Sequence, residues 1–264
     1  MTQAGATDGR RRTVLPFRAL VPNAITLLVL CTGLTGARFA LEERWPEAVL
    51  AIVIAAILDA LDGRIARLLK AQTRFGAELD SLADVIAFGV APAVIIYLWV
   101  LYALPGNLGW AVALAHAAAA ALRLARFNAS IDAEGVNPRK ALGFFTGIPA
   151  PAGAGLLLLP VYGTLAFGER AGSVLTEPAL VAPWVLGVAV LMISTAATPS
   201  WSLIRPRPAY RMAALLLVAV FGAALLTSPF LTLSVAALIY ASSVLIAMAA
   251  YARIRKRRPT PARG

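Results

Sequence analysis

The chain has 264 residues, of which 60% are apolar and 14% charged, with a mean hydropathy of +0.78 and a formal net charge of +11. Soluble domains are roughly 45–50% apolar and about 25% charged, so this is the composition of a membrane protein, and disorder, collagen-like repeats and disulfide scaffolds are excluded. The single cysteine, Cys31, leaves no intramolecular bridge, and the single histidine, His116, excludes a polyhistidine metal centre or any reaction that needs a histidine pair.

Measured against the roughly 20 residues that cross a bilayer, the apolar runs predict eight helices, at 20–41, 46–69, 77–104, 108–128, 147–166, 180–197, 211–227 and 231–252. The breaks carry turn residues, among them Leu104-Pro105-Gly106-Asn107, Phe167-Gly168-Glu169-Arg170, Thr198-Pro199-Ser200 and Ser228-Pro229. The expected fold class is all-α, a polytopic membrane helix bundle. Arg10, Arg11, Arg12 and Arg18 resemble the start of a signal peptide, but the apolar run that follows is too long and lacks a clear cleavage site, so no cleaved leader is expected.

Lys and Arg near helix ends stay on the cytoplasmic side during insertion. With the N-terminus inside, 21 of the 24 basic residues fall on that side, and only Arg38, Arg44 and Arg170 fall on the other. The inside set includes Arg64, Arg67, Lys70 and Arg74, then Arg123, Arg126, Arg139 and Lys140, then Arg205, Arg207 and Arg211, and the run from Arg253 to Arg258. An even number of spans with both ends cytoplasmic is expected, in a cell's inner membrane. The charge therefore reads as topology and as attraction to anionic lipid head groups, at about 1 kcal/mol per residue near the surface, and no nucleic-acid partner is expected.

Acidic side chains within spanning helices are costly and usually functional. The second predicted helix ends in Asp59-Ala60-Leu61-Asp62-Gly63-Arg64, and the third begins with Gly76-Ala77-Glu78-Leu79-Asp80-Ser81-Leu82-Ala83-Asp84. Spacings of i,i+3 and i,i+4 put each Asp pair on one helix face, and the short link from Leu68 to Phe75 makes the helices antiparallel neighbours. Four carboxylates gathered in a low-dielectric pocket repel one another, and a divalent cation relieves that conflict. Oxygen ligands without His or Cys favour Mg2+ or Mn2+, with Ca2+ as a further candidate. Pairing with Arg64, Arg67 or Arg74 accounts for one or two of the carboxylates but not for all four. Gly63, Ala66 and Gly76 remove side-chain bulk beside them, and Arg67 adds a fixed cation for phosphate oxygens. Together these residues describe a diphosphate site.

The full pattern, Asp59-x2-Asp62-Gly63-x2-Ala66-Arg67-x8-Gly76-x3-Asp80-x3-Asp84, resembles the signature of the CDP-alcohol phosphatidyltransferases, with every fixed position matched. Pro22-Asn23-Ala24-Ile25-Thr26 is similar to that family's first helix. Phe88-Gly89-x2-Pro92, Arg123-x2-Arg126-Phe127-Asn128, Phe145-Thr146-Gly147-Ile148-Pro149-Ala150-Pro151 and Met192-Ile193-Ser194-Thr195 resemble its serine-accepting bacterial branch. One position departs: where the family has a serine, an aromatic and a lysine, this chain has Ser200-Trp201-Ser202.

The resemblance implies transfer of a phosphatidyl group from CDP-diacylglycerol to the hydroxyl of L-serine, with release of CMP, by a homodimer. Carried over by position, Asp59, Asp62, Asp80 and Asp84 hold the metal, and Asp84 is also the general base. Asn23, Thr26, Gly63, Ala66, Arg67, Thr73 and Gly76 contact the donor, and Arg123, Arg126 and Asn128 are candidates for the serine carboxylate. The implied organisation is a basic cytoplasmic segment (1–16), a catalytic core of about six spanning helices (17–202), two additional helices (203–252) and a basic tail (253–264). Other acceptors, namely inositol phosphate, glycerol phosphate or choline, remain open. A cation-coupled transporter is a further alternative, opposed by the lack of an internal repeat and by carboxylates that gather at one face instead of the midplane.

Overall fold

The computed structural model describes residues 17–132, 144–168, 173–194, 197–199 and 211–257. The basic N-terminal segment, the loop holding Arg139 and Lys140, Arg170, the Ser200-Trp201-Ser202 segment with Arg205 and Arg207, and the last seven residues lie outside them. Helices α1 (Phe17–Leu41) and α2 (Trp45–Leu68) form the first hairpin. Its corner holds ion pairs of Arg38 with Glu42 at 3.0 Å and of Arg44 with Glu42 at 3.4 Å and Glu47 at 3.0 Å. Arg44 also lies over the Phe39 ring, 4.4 Å from its centroid. Two of the three basic residues assigned to the far face thus sit at this corner, each paired with a nearby carboxylate.

The third helix, α3 (Arg74–Trp99), is bounded at its start by Thr73, whose side chain accepts the Gly76 N–H at 3.0 Å. It is not regular. Residues Val85–Val90 form a wide π turn, directly after Asp84. Pro92 explains it: proline has no N–H for the carbonyl four residues back, that of Phe88, and its ring crowds that oxygen, so the helix widens there. His116, fully buried on α4 (Leu108–Asp132), places Nε2 3.5 Å from the Phe88 carbonyl oxygen. A turn of 3-10 helix at Leu101–Ala103 replaces the end of the helix expected to reach residue 104.

The fifth predicted helix is two, α5 (Ala150–Leu157) and α6 (Leu159–Phe167), meeting at 46°. Pro160 cannot donate to the Leu156 carbonyl, and the Trp184 indole N–H takes that acceptor at 2.9 Å. Tyr162 donates its hydroxyl to the Gly155 carbonyl beside the same break. Helices α7 (Pro178–Ile193), α8 (Arg211–Thr227) and α9 (Pro229–Arg257) complete the bundle. The all-α class holds, apart from one short antiparallel ladder in which β1 (Phe144–Thr146) pairs with β2 (Ala197–Pro199).

Among the described residues, four segments, Arg18–Leu41, Arg74–Trp99, Leu108–Ala129 and Pro229–Ala249, are individually long and apolar enough to cross a membrane, and the bent α5–α6 pair makes a fifth if it is one span. Helix α2 is long enough but carries Asp59, Asp62, Arg64 and Arg67, while α7 and α8 have only 16 and 17 residues. The eight predicted spans therefore correspond to the nine helices α1–α9 among the described residues, the fifth being divided, and not to eight established crossings.

Lipid is as apolar as a leucine side chain, so helix association in a membrane rests on close van der Waals packing and on polar contacts. Small residues provide the closeness. A Cβ on Gly33 of α1 would lie 2.6 Å from the Ala87 Cα in the π turn, and one on Gly89 would lie 2.8 Å from the Ala120 Cβ of α4. The interior is filled by Phe88, Ile95, Ile96, Leu157, Val161 and Met192, while Leu215, Leu216, Leu217 and Val218 of α8 face outward, as a hydrocarbon environment permits.

Candidate active site

The four aspartates converge at one end of the bundle. The α2–α3 link is tight: Ala71 N–H donates to the Ala66 carbonyl at 2.9 Å, and Lys70 takes a left-handed φ of +50°. This returns the chain within a few residues, so Asp80 of α3 stands beside Asp59 and Asp62 of α2. One oxygen from each of these three carboxylates lies within 4.8 Å of the others. Asp62 is buried, at 4% exposure, and accepts a hydrogen bond from Thr26 Oγ1 of α1 at 2.8 Å. The Pro22 carbonyl lies 3.1 Å from the same hydroxyl. Asp84, one helical turn beyond Asp80 on α3, is outside the tight trio. Its Oδ1 is inaccessible and has no partner among the described residues. Three hard carboxylate ligands so close together fit a divalent cation.

A cavity of about 280 Å³ opens beside the trio, lined by Asn23, Thr26, Asp62, Gly63, Ala66, Thr73, Gly76 and Asp80. It collects six of the seven residues that the sequence assigns to the donor; Pro22, Ala71, Gln72 and Ala77, to which the sequence assigns no role, complete the wall. Gly63 faces open space, with nothing within 4 Å of where a Cβ would stand, so its missing side chain is room in the cavity. A Cβ on Gly76 would instead sit 3.0 Å from Asn23 Oδ1 and 3.1 Å from Thr73 Oγ1. Arg67, the seventh residue, is exposed at the rim, and its Nε donates to the Gly63 carbonyl at 2.9 Å, which steadies the guanidinium there.

The three acceptor candidates on α4 separate in the structure. Arg126 Nη1 donates to the Ile193 carbonyl at 2.6 Å, binding the end of α7, and Asn128 Nδ2 donates to Ser81 Oγ at 2.9 Å, tying α4 to α3 beside Asp80. Arg123 is half-buried, its Nε is inaccessible without a partner among the described residues, and its charge acts on Asp84.

On another side of α2, a larger cavity of about 490 Å³ lies against α5, α6 and α9. Its lining is apolar except near Arg64, Tyr162 and Tyr240.

A membrane helix bundle with paired carboxylates from two antiparallel helices, beside a glycine-opened cavity, defines the class of enzyme. The chain belongs to the CDP-alcohol phosphatidyltransferase family, whose model matches residues 19–199. A second model, CDP-alcohol phosphatidyltransferase 2, matches residues 209–244, so the last two helices, in which the sequence shows no usable motif, also carry a family pattern. Among similar proteins, CDP-diacylglycerol–serine O-phosphatidyltransferase of Mycobacterium tuberculosis is 41% identical over 240 residues, covering 89% of this chain and 79% of its own. The proteins of the same name from Helicobacter pylori, at 36% identity over 82% of this chain and 85% of their length, and Bacillus subtilis, at 34% over 66% and 86%, are also similar. The chain is thus a membrane transferase of phospholipid biosynthesis. That excludes the transporter reading.

Proposed function

We propose that the protein transfers the phosphatidyl group of CDP-diacylglycerol to the hydroxyl of L-serine, giving phosphatidylserine and CMP. The observation that carries this reading is the trio Asp59, Asp62 and Asp80 at the edge of the cavity that Asn23, Thr26, Gly63, Ala66, Thr73 and Gly76 line. Asp59, Asp62 and Asp80, with Asp84 adjoining, would hold Mg2+ or Mn2+, with Ca2+ as a further candidate, and a cation held there would supply positive charge for the diphosphate and the leaving CMP.

This chain's residues do the rest. The cavity seats the cytidine diphosphate, with Arg67 at its rim for phosphate oxygens. Asp84 takes the proton of the serine hydroxyl as its oxygen bonds to the lipid-side phosphorus and the bond from that phosphorus to CMP breaks. Its position beside the trio, with one oxygen unpartnered, suits a base better than a fully engaged ligand. Arg123 pairs with the serine carboxylate, while Arg126 and Asn128 hold the helices that frame the acceptor. The larger apolar cavity suits the acyl chains. Serine as acceptor is supported by the names of the similar proteins.

The enzyme works as a homodimer in the inner membrane, with residues 17–202 as catalytic core, 203–252 as two further helices, and the site and both basic ends facing the cytoplasm. Purified protein with CDP-diacylglycerol and a panel of labelled alcohols tests the reaction: serine yields phosphatidylserine and an equal amount of CMP, and chelator stops it. Product from inositol phosphate, glycerol phosphate or choline but not from serine refutes the acceptor, and turnover in excess chelator refutes the metal. Cysteines near Gly106 should label from outside and one near Arg74 from inside; the reverse refutes the orientation.

A further inference from the structure

The π turn of α3 begins at the residue after Asp84, and within it the Ala91 N–H donates to the Ile86 carbonyl, five residues back. A π turn holds one residue more than an α turn, so the part of α3 before it is rotated by roughly 100° from where an unbroken α-helix would put it. Asp80 and Asp84 precede the turn, and the fully buried Ile95 and Ile96 follow it. The turn therefore sets which way the carboxylate end of α3 faces while the apolar end stays in the core. Its own position is fixed from two sides, by Gly33 of α1 against Ala87 and by Ala120 of α4 against Gly89. One polar side chain joins this packing. His116 lies on the buried face of α4 among Ala113, Ala119 and Ala120, and its Nε2 stands 3.5 Å from the Phe88 carbonyl oxygen, the acceptor that Pro92 leaves without a helical donor. A carbonyl only accepts, so this contact puts the proton of the neutral ring on Nε2. Nδ1 is then an acceptor, and it has no partner among the described residues.

We propose that His116 is a positioning residue for the transfer: by donating its Nε2 proton to the Phe88 carbonyl it pins the π turn, and with it the direction in which Asp84 presents its carboxylate to the acceptor hydroxyl. Phe88 is fully buried, so without that donor its carbonyl would be an unpaired acceptor in the core, and the turn would shift to find another. Asp84 directly precedes the turn and takes up that shift. The metal trio is anchored elsewhere. Asp62 accepts from Thr26 of α1, and Ser81, next to Asp80, is tied to Asn128 of α4. Loss of the imidazole donor should therefore disturb the base and spare the donor site. This inference rests on the proposed role of Asp84 in the transfer to serine.

The test uses the full-length protein in lipid vesicles and compares wild type with His116→Leu, which fills the site without a donor, and His116→Gln, whose amide N–H can reach the same carbonyl. With both substrates saturating, His116→Leu should lower kcat roughly 10- to 100-fold, the scale on which misplacing a reacting group by about 1 Å acts. The donor KM, and the affinity for CDP by calorimetric titration with Mn2+, should stay within about two-fold of wild type, the pattern of an effect confined to the chemical step. His116→Gln should recover most of the loss. In an Asp84→Asn background His116→Leu should cost little more, because the ring acts through that carboxylate. His116 is the chain's only histidine, so NMR of the untagged wild-type protein with nitrogen-15 histidine reads this ring alone and should find the proton on Nε2. That measurement depends neither on turnover nor on a variant that folds. A proton on Nδ1 overturns the proposal, and so does a wild-type kcat in His116→Leu, a loss that His116→Gln does not relieve, or a parallel fall in CDP affinity, which would mark a general loss of packing. A wild-type protein that makes no phosphatidylserine refutes the proposed reaction itself, a result distinct from an active enzyme indifferent to His116→Leu.

Discussion

Gly63→Ala separates the demands of folding from those of the donor cavity, because the structure gives them opposite signs. Gly63 lies within α2, one residue beyond Asp62, and nothing stands within 4 Å of the position of a new Cβ. Alanine is better than glycine in a helix interior by about 0.5–1 kcal/mol, and with no clash to offset it, the variant should be more stable than wild type by that amount. The same methyl enters a cavity of about 280 Å³ shaped by Asn23, Thr26 and Gly76. Filling space that a ligand needs typically costs about 1–3 kcal/mol, which is roughly a 5- to 150-fold loss of affinity. Thermal unfolding of the detergent-solubilised protein without nucleotide reads the first effect, and calorimetric titration with CDP in the presence of Mn2+ reads the second. An unchanged CDP affinity would show that this cavity is not the nucleotide site. A lowered unfolding temperature would show that Gly63 does not face open space.

Asp84→Asn should leave CDP binding within a few-fold of wild type while turnover falls by roughly 10²–10⁴-fold, the scale of general-base loss; full turnover would remove Asp84 from the chemistry. The two α4 arginines should differ in kind. Arg126→Ala releases the Ile193 carbonyl at the end of α7 and should lower stability by about 0.5–1.5 kcal/mol with little change in serine KM, whereas Arg123→Ala should raise that KM with stability less affected; steady-state kinetics beside thermal unfolding would expose the reverse. Gly33→Val should destabilise the bundle by more than about 1 kcal/mol, because even a Cβ lies 2.6 Å from the Ala87 Cα of the π turn; wild-type thermal stability would show that α1 and α3 are not in such close contact.

Much of the site was legible in the chain. A helix repeats every 3.6 residues, so Asp59 with Asp62, and Asp80 with Asp84, had to share faces, and a link too short for any other arrangement had to make their helices neighbours. The same local rule placed Gly63, Ala66 and Gly76 near the carboxylates. The all-helical class followed from apolar length, since a backbone in hydrocarbon must satisfy its own hydrogen bonds, whereas the division of the fifth predicted helix did not.

Tertiary structure decided what depends on partners distant in sequence. The proline breaks are an example: Pro92 and Pro160 are visible in the chain, but whether a proline kinks, widens or divides a helix depends on what receives the freed carbonyl, here His116 near the Phe88 oxygen and Trp184 on that of Leu156. Arg123 and Arg126 are three residues apart and of one chemistry, so periodicity cannot rank them; only the bundle shows one guanidinium bound to Ile193 and the other half-buried near Asp84. Sequence determines contacts that recur within a helical turn or across a short link, where backbone geometry leaves one solution. Contacts between segments separated by a hundred residues depend on how the whole bundle packs, and for those the physical information lies in the assembled fold.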